Sequence, residues 1–237
     1  MIQIVRKFLL CGLLLTLLPI VMLRWWPPPV SAFMLHAQLE AYRERDESFR
    51  IQQQWIPLEE IAPTAALAVV AAEDQLFDQH FGFDLAAMEQ ALRNNEAGHK
   101  LRGASTLSQQ TAKNLFLYSD QSYVRKALEA YLTILLELIL PKQRILEIYL
   151  NIAQFGRGIY GVQAASMQFF HKSAAHLTAS EAALLAAVLP NPIRLEVDHP
   201  SPYVRGRQAW ILKQMKQLGG ITYLRDILSL SSHNPIG

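Results

Sequence analysis

Two stretches in the first half of the chain hold residues whose types and spacing could do chemistry. Glu73 and Asp74 follow an apolar run that begins at Pro63. We predict a buried helix there, with the proline in its first turn, where the missing N–H costs nothing. Glu73 then lies near the C-terminal end, where the helix dipole and an apolar wall would both raise the pKa of a carboxylate. Both effects favour a general base.

The same pair also fits the solvated end of an ordinary helix, which is the commoner setting for a Glu-Asp pair. If the helix continues past Glu73, however, Phe77 and His80 share its face at i+4 and i+7. Such a face would favour a cleft wall over a solvated end.

The second stretch, residues 103–114, combines a helix start with a polar face. Thr106 and Gln109 have the spacing of a capping box, which by itself explains both residues structurally. The helix face that follows has i, i+3, i+4 spacing, and its members are Gln110, Lys113 and Asn114. Together with the Ser105 hydroxyl and the free N–H groups of the helix start, this face predicts an anion site.

Both stretches resemble motifs of the peptidoglycan glycosyltransferases, which polymerise lipid II. The first two motifs are matched by Glu73-Asp-x-x-Phe77-x-x-His80-x-Gly82 and by Gly103-x-Ser105-Thr106-x-x-Gln109-Gln110-x-x-Lys113-Asn114. The third and fourth are matched by Arg125-Lys126-x-x-Glu129 and by Lys142-x-x-Ile145-Leu146-Glu147-x-Tyr149-Leu150-Asn151. The resemblance covers residues 55–213, and the chain has the expected residue at every motif position that we compared.

The resemblance implies an all-α, lysozyme-like glycosyltransferase domain with Glu73 and Glu129 as its catalytic residues. Glu73 would deprotonate the 4-hydroxyl of the acceptor lipid II, whose oxygen attacks the anomeric carbon of the growing chain and expels undecaprenyl diphosphate. Lys113 and Arg125 would bind that diphosphate, and Glu129 would orient Arg125 or the acceptor. The other implied substrate-binding residues are Asp74, Phe77, His80, Ser105, Thr106, Gln109, Gln110, Asn114 and Lys126.

Spacing alone favours a different interpretation of the third motif. Arg125 and Glu129 would form a weak surface ion pair, in the poorer of the two orientations. The resemblance overrides that interpretation. For Lys142, Glu147 and Asn151 we expect a mainly structural role, bracing neighbouring helices.

Composition narrows the class of protein. The 237 residues are enough for one sizeable core, and at 51% hydrophobic and 18% charged they are more apolar than an ordinary soluble domain. The net charge of +2 does not indicate a nucleic-acid partner. Cys11 is the lone cysteine, so neither an internal disulfide nor a cysteine-based zinc site is expected. The sequence contains no His-Glu-x-x-His motif, so a zinc hydrolase is not expected.

The high apolar content is concentrated in residues 8–23, a nearly unbroken apolar run. Arg6 and Lys7 precede it, and Arg24, Trp25 and Trp26 follow it. At about 1.5 Å per residue the run spans roughly 24 Å, and snorkelling basic residues and interfacial tryptophans extend it toward the bilayer core of about 30 Å. We predict a single N-terminal transmembrane helix. A cleavable signal peptide is the alternative.

The predicted topology places the N-terminus in the cytoplasm and the catalytic domain in the periplasm, anchored in the cell inner membrane by a single pass. We divide the chain into the cytoplasmic tip and anchor (1–30), a juxtamembrane linker or short helix (31–54) and the glycosyltransferase domain (55–237). The implied partners are lipid II, the growing glycan chain, the membrane and other cell-wall synthesis proteins, without nucleic acid. No organic cofactor and no metal ligand are assigned, and the sequence leaves a divalent cation open.

Beyond the motifs, the sequence predicts helices and no β alternation of any length. Asp84 should cap a helix over Leu85–Glu96, with a mobile loop over 98–104, and Ser122 should cap a helix that runs to Leu140. Two helices should lie within 161–189, the second opened by a capping box at Thr178, and a last helix should span 204–218. The apolar residues expected to face the core from the helix after Ser122 are Val124, Leu128, Tyr131, Leu132, Leu135, Leu138 and Ile139.

Gly156-x-Gly158-x-x-Gly161, with Glu181 twenty residues later, matches the letters of the dinucleotide-binding fingerprint. That fingerprint needs a preceding strand within a βαβ unit, whereas residues 141–153 have helical spacing. We therefore interpret the glycines as a turn between helices.

Two other classes of function compete with the glycosyltransferase. A membrane-anchored glycan-cleaving enzyme of lysozyme-like fold would also use one glutamate, although hydrolysis gives no reason for the cations Lys113 and Arg125. A non-catalytic cell-wall scaffold would not need Glu73 and Glu129. The absence of Ser-x-x-Lys, together with the short chain, implies an enzyme without the penicillin-binding transpeptidase domain.

Overall fold

A computed structural model describes Arg6, Gly12 and residues 16–96, 105–118 and 122–229, and the described chain is mostly helical. Downstream of Ser31 the described helices are α1 (Ala32–Arg43), α2 (Pro63–Glu73), α3 (Leu85–Glu96), α4 (Leu107–Phe116), α5 (Tyr123–Ile139), α6 (Lys142–Ile152), α7 (Val162–Phe170), α8 (Ala179–Val188), α9 (Pro202–Gln217) and α10 (Ile221–Ser229). Short 3-10 turns occupy Leu58–Glu60 and Ala174–His176.

A small sheet accompanies the helices, so the expectation of a purely α chain is wrong in this detail. Strand β3 (Ile159–Tyr160) lies between β1 (Gln52–Gln53) and β2 (Gln154–Gly156), parallel to the first and antiparallel to the second. Strands of two or three residues are too short to show the alternation by which a strand is recognised in sequence.

The glycine-rich sequence between α6 and α7 is a β-hairpin, where we had predicted a plain turn. Gly158 has a φ of +73°, and a Cβ there would lie 2.4 Å from the backbone oxygen of Arg50. The carbonyl of Gly158 accepts the hydrogen bond of the Gln52 N–H at 2.8 Å. Close approach of β1 therefore explains this glycine without a nucleotide.

The core centres on two alanine-rich helices. Both α2 and α8 are buried along nearly their whole length, and they pack against each other and against α9. A helix that is apolar on all sides is stable only in the interior, and small side chains allow close approach. In a second group of helices, α4 packs against α5 and α6. The carboxyl end of α2 lies between these two groups of helices.

The predicted helix starts are confirmed. Asp84 accepts the N–H of Ala87 at 2.8 Å, Ser122 caps α5, and both predicted capping boxes form, at Thr106 and Thr178. The prediction that the helix at 204–218 is the last one is wrong, because α10 follows it.

The core-facing stripe predicted for α5 is only partly correct. Leu132 and Leu135 are buried, but Val124 is 72% exposed and Leu138 is 66% exposed. The buried side of α5 instead includes polar residues, namely Glu129, Thr133 and Glu137. Apolar spacing alone did not reveal that the interior beside α5 is partly polar.

The N-terminal region packs on the domain where it is described. Residues 16–22 are helical, Arg144 Nε donates to the Leu23 carbonyl at 2.7 Å, and Arg24 donates to the Ile139 carbonyl at 2.8 Å. Within the described part of the chain, no helix is long and apolar enough to cross a membrane. Most of the predicted anchor run, and the predicted loop at 98–104, lie outside the described residues.

The predicted structural role of the fourth motif is confirmed for Asn151, although its partner Ile56 lies outside the helices. The buried amide of Asn151 accepts the N–H of Ile56 and donates to the carbonyl of the same residue, each at 2.9 Å. Lys142 likewise pairs with Glu137 at 2.8 Å and joins α6 to α5. These contacts tie α6 to α5 and to the segment at Ile56.

The backbone conformation at position 82, the last residue of the first motif, requires a glycine. Gly82 has a φ of +79°, and a Cβ would lie 2.8 Å from Thr133 Cγ2 and 3.1 Å from Glu137 Cγ. Its carbonyl accepts the Thr106 hydroxyl at 2.6 Å, which connects this turn to the start of α4.

We expect Gly82→Ala to lower the free energy of unfolding by about 1–3 kcal/mol, because it combines a left-handed backbone with a steric clash. Gly206→Ala is the control, since Gly206 lies inside α9 with open space around its Cβ position. That change should leave stability unchanged or raise it by roughly 0.5–1 kcal/mol. Chemical denaturation of both variants checks this, and equal stability of the two would contradict it.

Candidate active site

Glu73 is the last residue of α2, as predicted. The helix does not continue, because Asp74 has φ −161° and ψ 79°. The alternative in which Phe77 and His80 share a helical face with Glu73 is therefore wrong. The side chain of Asp74 turns away, accepting the N–H of Leu107 at 2.9 Å and contacting His80 Nε2 at 2.8 Å. Asp74 thus satisfies a free N–H at the start of α4.

Both carboxylate oxygens of Glu73 have partners from distant parts of the chain. Gln110 Nε2 donates to Oε2 at 2.9 Å, and an Nη of Arg207 donates to Oε1 at 3.0 Å. The amide oxygen of Gln110 in turn accepts the hydroxyl of Tyr149 at 3.0 Å. Glu73 is 14% exposed, so it is partly enclosed but still reachable from the cleft.

Burial is the main influence on Glu73 and raises the pKa of its carboxyl above the ordinary value. The hydrogen bond from Gln110 and the charge of Arg207 lower the pKa, and Lys113 does so more weakly, without cancelling the effect of burial. Burial also raises the pKa of Tyr149 well above its usual range, and the charge of Glu73 adds to this. A carboxyl with a raised pKa is a better proton acceptor than an exposed one.

Two cavities meet at Glu73. The larger, about 860 Å³, extends over α4 and α9 and is lined by Ala72, Glu73, Ser105, Gln110, Lys113, Leu189, Pro190, Tyr203, Gly206, Arg207 and Trp210. The smaller, about 300 Å³, lies toward α3, and its lining includes Glu73, Asp74, Asp84, Ser105 and Thr106. Because Glu73 and Ser105 line both, the carboxylate can face two different ligands.

Two cations line the larger cavity, Arg207, which is paired with Glu73, and Lys113. The Lys113 ammonium lies 5.5 Å from the centre of the Phe33 ring, and within the described residues no carboxylate forms an ion pair with it. Burial lowers the pKa of Lys113, while the charge of Glu129 raises it and those of Arg125 and Lys126 lower it. A partly desolvated cation without a carboxylate partner suits a ligand anion.

The third motif forms a cluster on α5. Glu129 accepts Arg125 at 2.7 Å through one carboxylate oxygen and Lys126 through the other, and its side chain is only 3% exposed. The interpretation of Arg125 and Glu129 as a surface ion pair is therefore wrong. Arg125, Lys126 and Glu129 line neither cavity at Glu73, but all three act on the pKa of Lys113.

The remaining predicted site residues lie mostly behind the cleft wall. Phe77 is fully buried, with the Lys142 ammonium 4.6 Å from its ring centre and His80 packed against its edge. Thr106 and Gln109 are buried and bonded to each other in the capping box. Asn114 is half-buried one residue beyond Lys113. The structure thus brings Glu73, Ser105, Gln110 and Lys113 together at the larger cavity.

Sequence reasoning missed Arg207 and Tyr149 as neighbours of Glu73. Arg207 is 134 positions away and was treated as part of an ordinary amphipathic helix. A signal was available, since Tyr203, Arg207 and Trp210 stand at i, i+4 and i+7 and share one face of α9. That face lines the larger cavity.

One group of possible metal ligands occurs in the described part of the chain. It consists of Glu196, Asp198 and His199, all exposed. It shares no residue with the two cavities at Glu73.

Comparison with known proteins agrees with the resemblance inferred from the motifs. A family profile described as Transglycosylase matches residues 40–216. A protein named biosynthetic peptidoglycan transglycosylase from Klebsiella oxytoca is 56% identical over 200 residues, which cover 84% of this chain and 83% of the relative. Proteins of the same name from Escherichia coli O17:K52:H18 (strain UMN026 / ExPEC) and Yersinia pestis (strain Pestoides F) are 55% and 57% identical over 201 residues, with the same coverage. Because the profile and these identities extend over most of the sequence, the chain belongs to the transglycosylase family.

Proposed function

We propose that this protein polymerises lipid II into the glycan strands of peptidoglycan by inverting β-1,4 glycosyl transfer. The observation that supports this most strongly is the position of Glu73, a carboxyl with a raised pKa between two cavities. A polymerase must hold an acceptor and a donor on either side of one base, whereas the cavities of a binding protein need no such group. Membership of the transglycosylase family supports the same activity.

In the proposed reaction Glu73 removes the proton from the 4-hydroxyl of the acceptor. The new bond joins that oxygen to the anomeric carbon of the growing chain, and the bond from this carbon to the diphosphate oxygen breaks. Undecaprenyl diphosphate leaves with the bonding electron pair, and the proton stays on Glu73 until solvent accepts it. The anomeric configuration inverts because attack and departure occur on opposite faces of the ring.

Charge builds on the leaving diphosphate, and we assign Lys113 to it because Lys113 has no carboxylate partner within the described chain. Arg125 and Lys126, which are held by Glu129 outside the two cavities, would add positive charge near the diphosphate without contacting it. Glu129 therefore serves in this proposal as an orienting carboxylate. Ser105 and Gln110 would contact the sugars, while Asp74, Phe77, His80, Thr106, Gln109 and Asn114 would support the site.

The proposal includes no organic cofactor. Whether a divalent cation assists the diphosphate is answered by assaying polymerisation with and without a chelator. The two rival functions are separable in the same assay: a glycan-cleaving enzyme releases reducing sugar from finished peptidoglycan, and a scaffold gives no polymer from purified lipid II.

We further propose that the domain has a lysozyme-like fold and works at the membrane, where lipid II resides, with the growing glycan chain and other cell-wall synthesis proteins as partners. Support comes from the apolar run at 8–23 and from the contacts by which Arg144 and Arg24 join this region to the domain. The catalytic domain would then face the periplasm from the inner membrane.

A reporter active only in the periplasm, fused after Gly237, tests this topology. We expect activity, because Arg6 and Lys7 precede the apolar run and basic residues are retained on the cytoplasmic side. A reporter active only in the cytoplasm serves as the reciprocal control. Activity of the cytoplasmic reporter alone would contradict the proposed orientation.

Replacement of each glutamate in turn by glutamine tests the catalytic assignment. Glu73→Gln retains the shape but removes the proton acceptor, so polymerisation should fall roughly 100- to 10,000-fold while lipid II still binds. Glu129→Gln should have a smaller effect, through loosened Arg125 and Lys126. In the wild type, the rate should fall as the pH falls through the raised pKa of Glu73, because the base becomes protonated. Near wild-type polymerisation by Glu73→Gln would overturn the assignment and make Glu129 the next residue to test.

Cation variants test the anion site. Lys113→Ala should weaken the binding of a polyprenyl diphosphate by about 1.5–3 kcal/mol, and Arg125→Ala by less, because Arg125 already pairs with Glu129. Lys213→Ala, an exposed lysine on α9, is the matched control and should bind like wild type. Calorimetric titration with a short-chain polyprenyl diphosphate measures the difference. Unchanged affinity in both site variants would place the diphosphate elsewhere.

A further inference from the structure

We infer that Arg207 is a positioning residue that holds the Glu73 carboxylate in place and sets the lower limit of the pH range in which it acts as a base. The inference rests on the proposed function of this cleft. It concerns a residue outside all four sequence motifs used to recognise the site.

The contact is direct and partly shielded from solvent. Arg207 and Glu73 are 3.0 Å apart, with side chains 22% and 14% exposed. Arg207 holds Oε1 while Gln110 holds Oε2, so the carboxylate is fixed from opposite sides by α9 and α4. Within the described residues Arg207 pairs with no other carboxylate, and its Nε has no hydrogen-bond partner. Its charge is therefore directed at Glu73.

The helix that presents Arg207 is itself firmly anchored. Val204 and Ile211, which precede and follow Arg207 on this helix, are buried. Gln208 donates to the Ser180 carbonyl at 2.8 Å, which ties α9 to α8. The guanidinium lies 6.0 Å from the centre of the Trp210 ring. Because α9 packs directly against α2, the helix that ends at Glu73, the arginine and the glutamate belong to one packed unit.

The other charged and titratable groups around Glu73 act less directly. Lys113 approaches from α4, and Tyr149 from α6 reaches Glu73 only through Gln110. Asp74 and Asp84 line the smaller cavity. On the α10 side, Tyr223 donates to Asp78 at 2.6 Å. Arg207 is the cation in hydrogen-bond contact with the base, so its removal leaves the buried carboxylate with the unfavourable effect of burial and fewer compensating charges.

The test is the pH dependence of polymerisation by purified full-length variants on lipid II. Arg207→Ala removes the charge that favours ionised Glu73, so the acidic limb of kcat should move to higher pH by on the order of one pH unit. Below the limb the rate should then be roughly tenfold lower than wild type, with a much smaller loss on the alkaline plateau. Arg207→Lys, which retains the charge, should recover most of the wild-type profile.

Arg205→Ala is the matched control, because Arg205 is exposed on the same helix two residues away. Its profile should coincide with that of wild type. Thermal unfolding of each variant establishes that α9 is folded, and should Arg207→Ala be unfolded, Arg207→Gln makes the same comparison with less lost volume.

The inference is overturned if the acidic limb of Arg207→Ala coincides with that of wild type, whether the rate is unchanged, falls equally at every pH, or falls through a higher KM for lipid II. The last outcome would make Arg207 a substrate-binding residue. Failure of the proposed function appears differently, as an absence of polymer from the wild-type protein itself.

Discussion

The buried carboxylate of Glu73 is the feature on which the cleft depends. It lies at the carboxyl end of α2, where loss of solvent and the helix dipole both oppose a negative charge. Gln110 and Arg207 compensate from α4 and α9, and Tyr149 supports Gln110 from α6. One side chain thus connects four helices, and the two cavities open where those helices meet.

The residues behind the cleft form a bracing layer for this arrangement. Asp74 satisfies the free N–H of Leu107 at the start of α4, and the Thr106 hydroxyl reaches back to the Gly82 carbonyl. Glu137 accepts hydrogen bonds from Ser108 and Lys142, so α4, α5 and α6 share one buried carboxylate. Buried polar groups are tolerated when each has partners, and here those partners fix the register of the helices that carry the site.

The cations near the site differ in availability. Arg125 and Lys126 are both held by Glu129, so their charge is largely neutralised before any ligand arrives. Lys113 has no carboxylate partner in the described chain, and its burial makes an unpaired positive charge unfavourable. An anionic ligand would relieve that cost. Lys113 is therefore the lysine available to an anion in the larger cavity, whereas the charge of Arg125 is already engaged by Glu129.

The sequence by itself determined the helical class, the helix caps at Asp84, Thr106, Ser122 and Thr178, and the position of Glu73 at a helix end, because these depend on local spacing. It did not determine the direction of the chain after Glu73, since Asp74 is drawn away by the N–H of Leu107, more than thirty residues later. The ion pair from Arg207 and the polar interior beside α5 were likewise decided only by tertiary packing. Periodicity identifies which residues share a face of one helix, but the neighbour of that face depends on how distant helices pack.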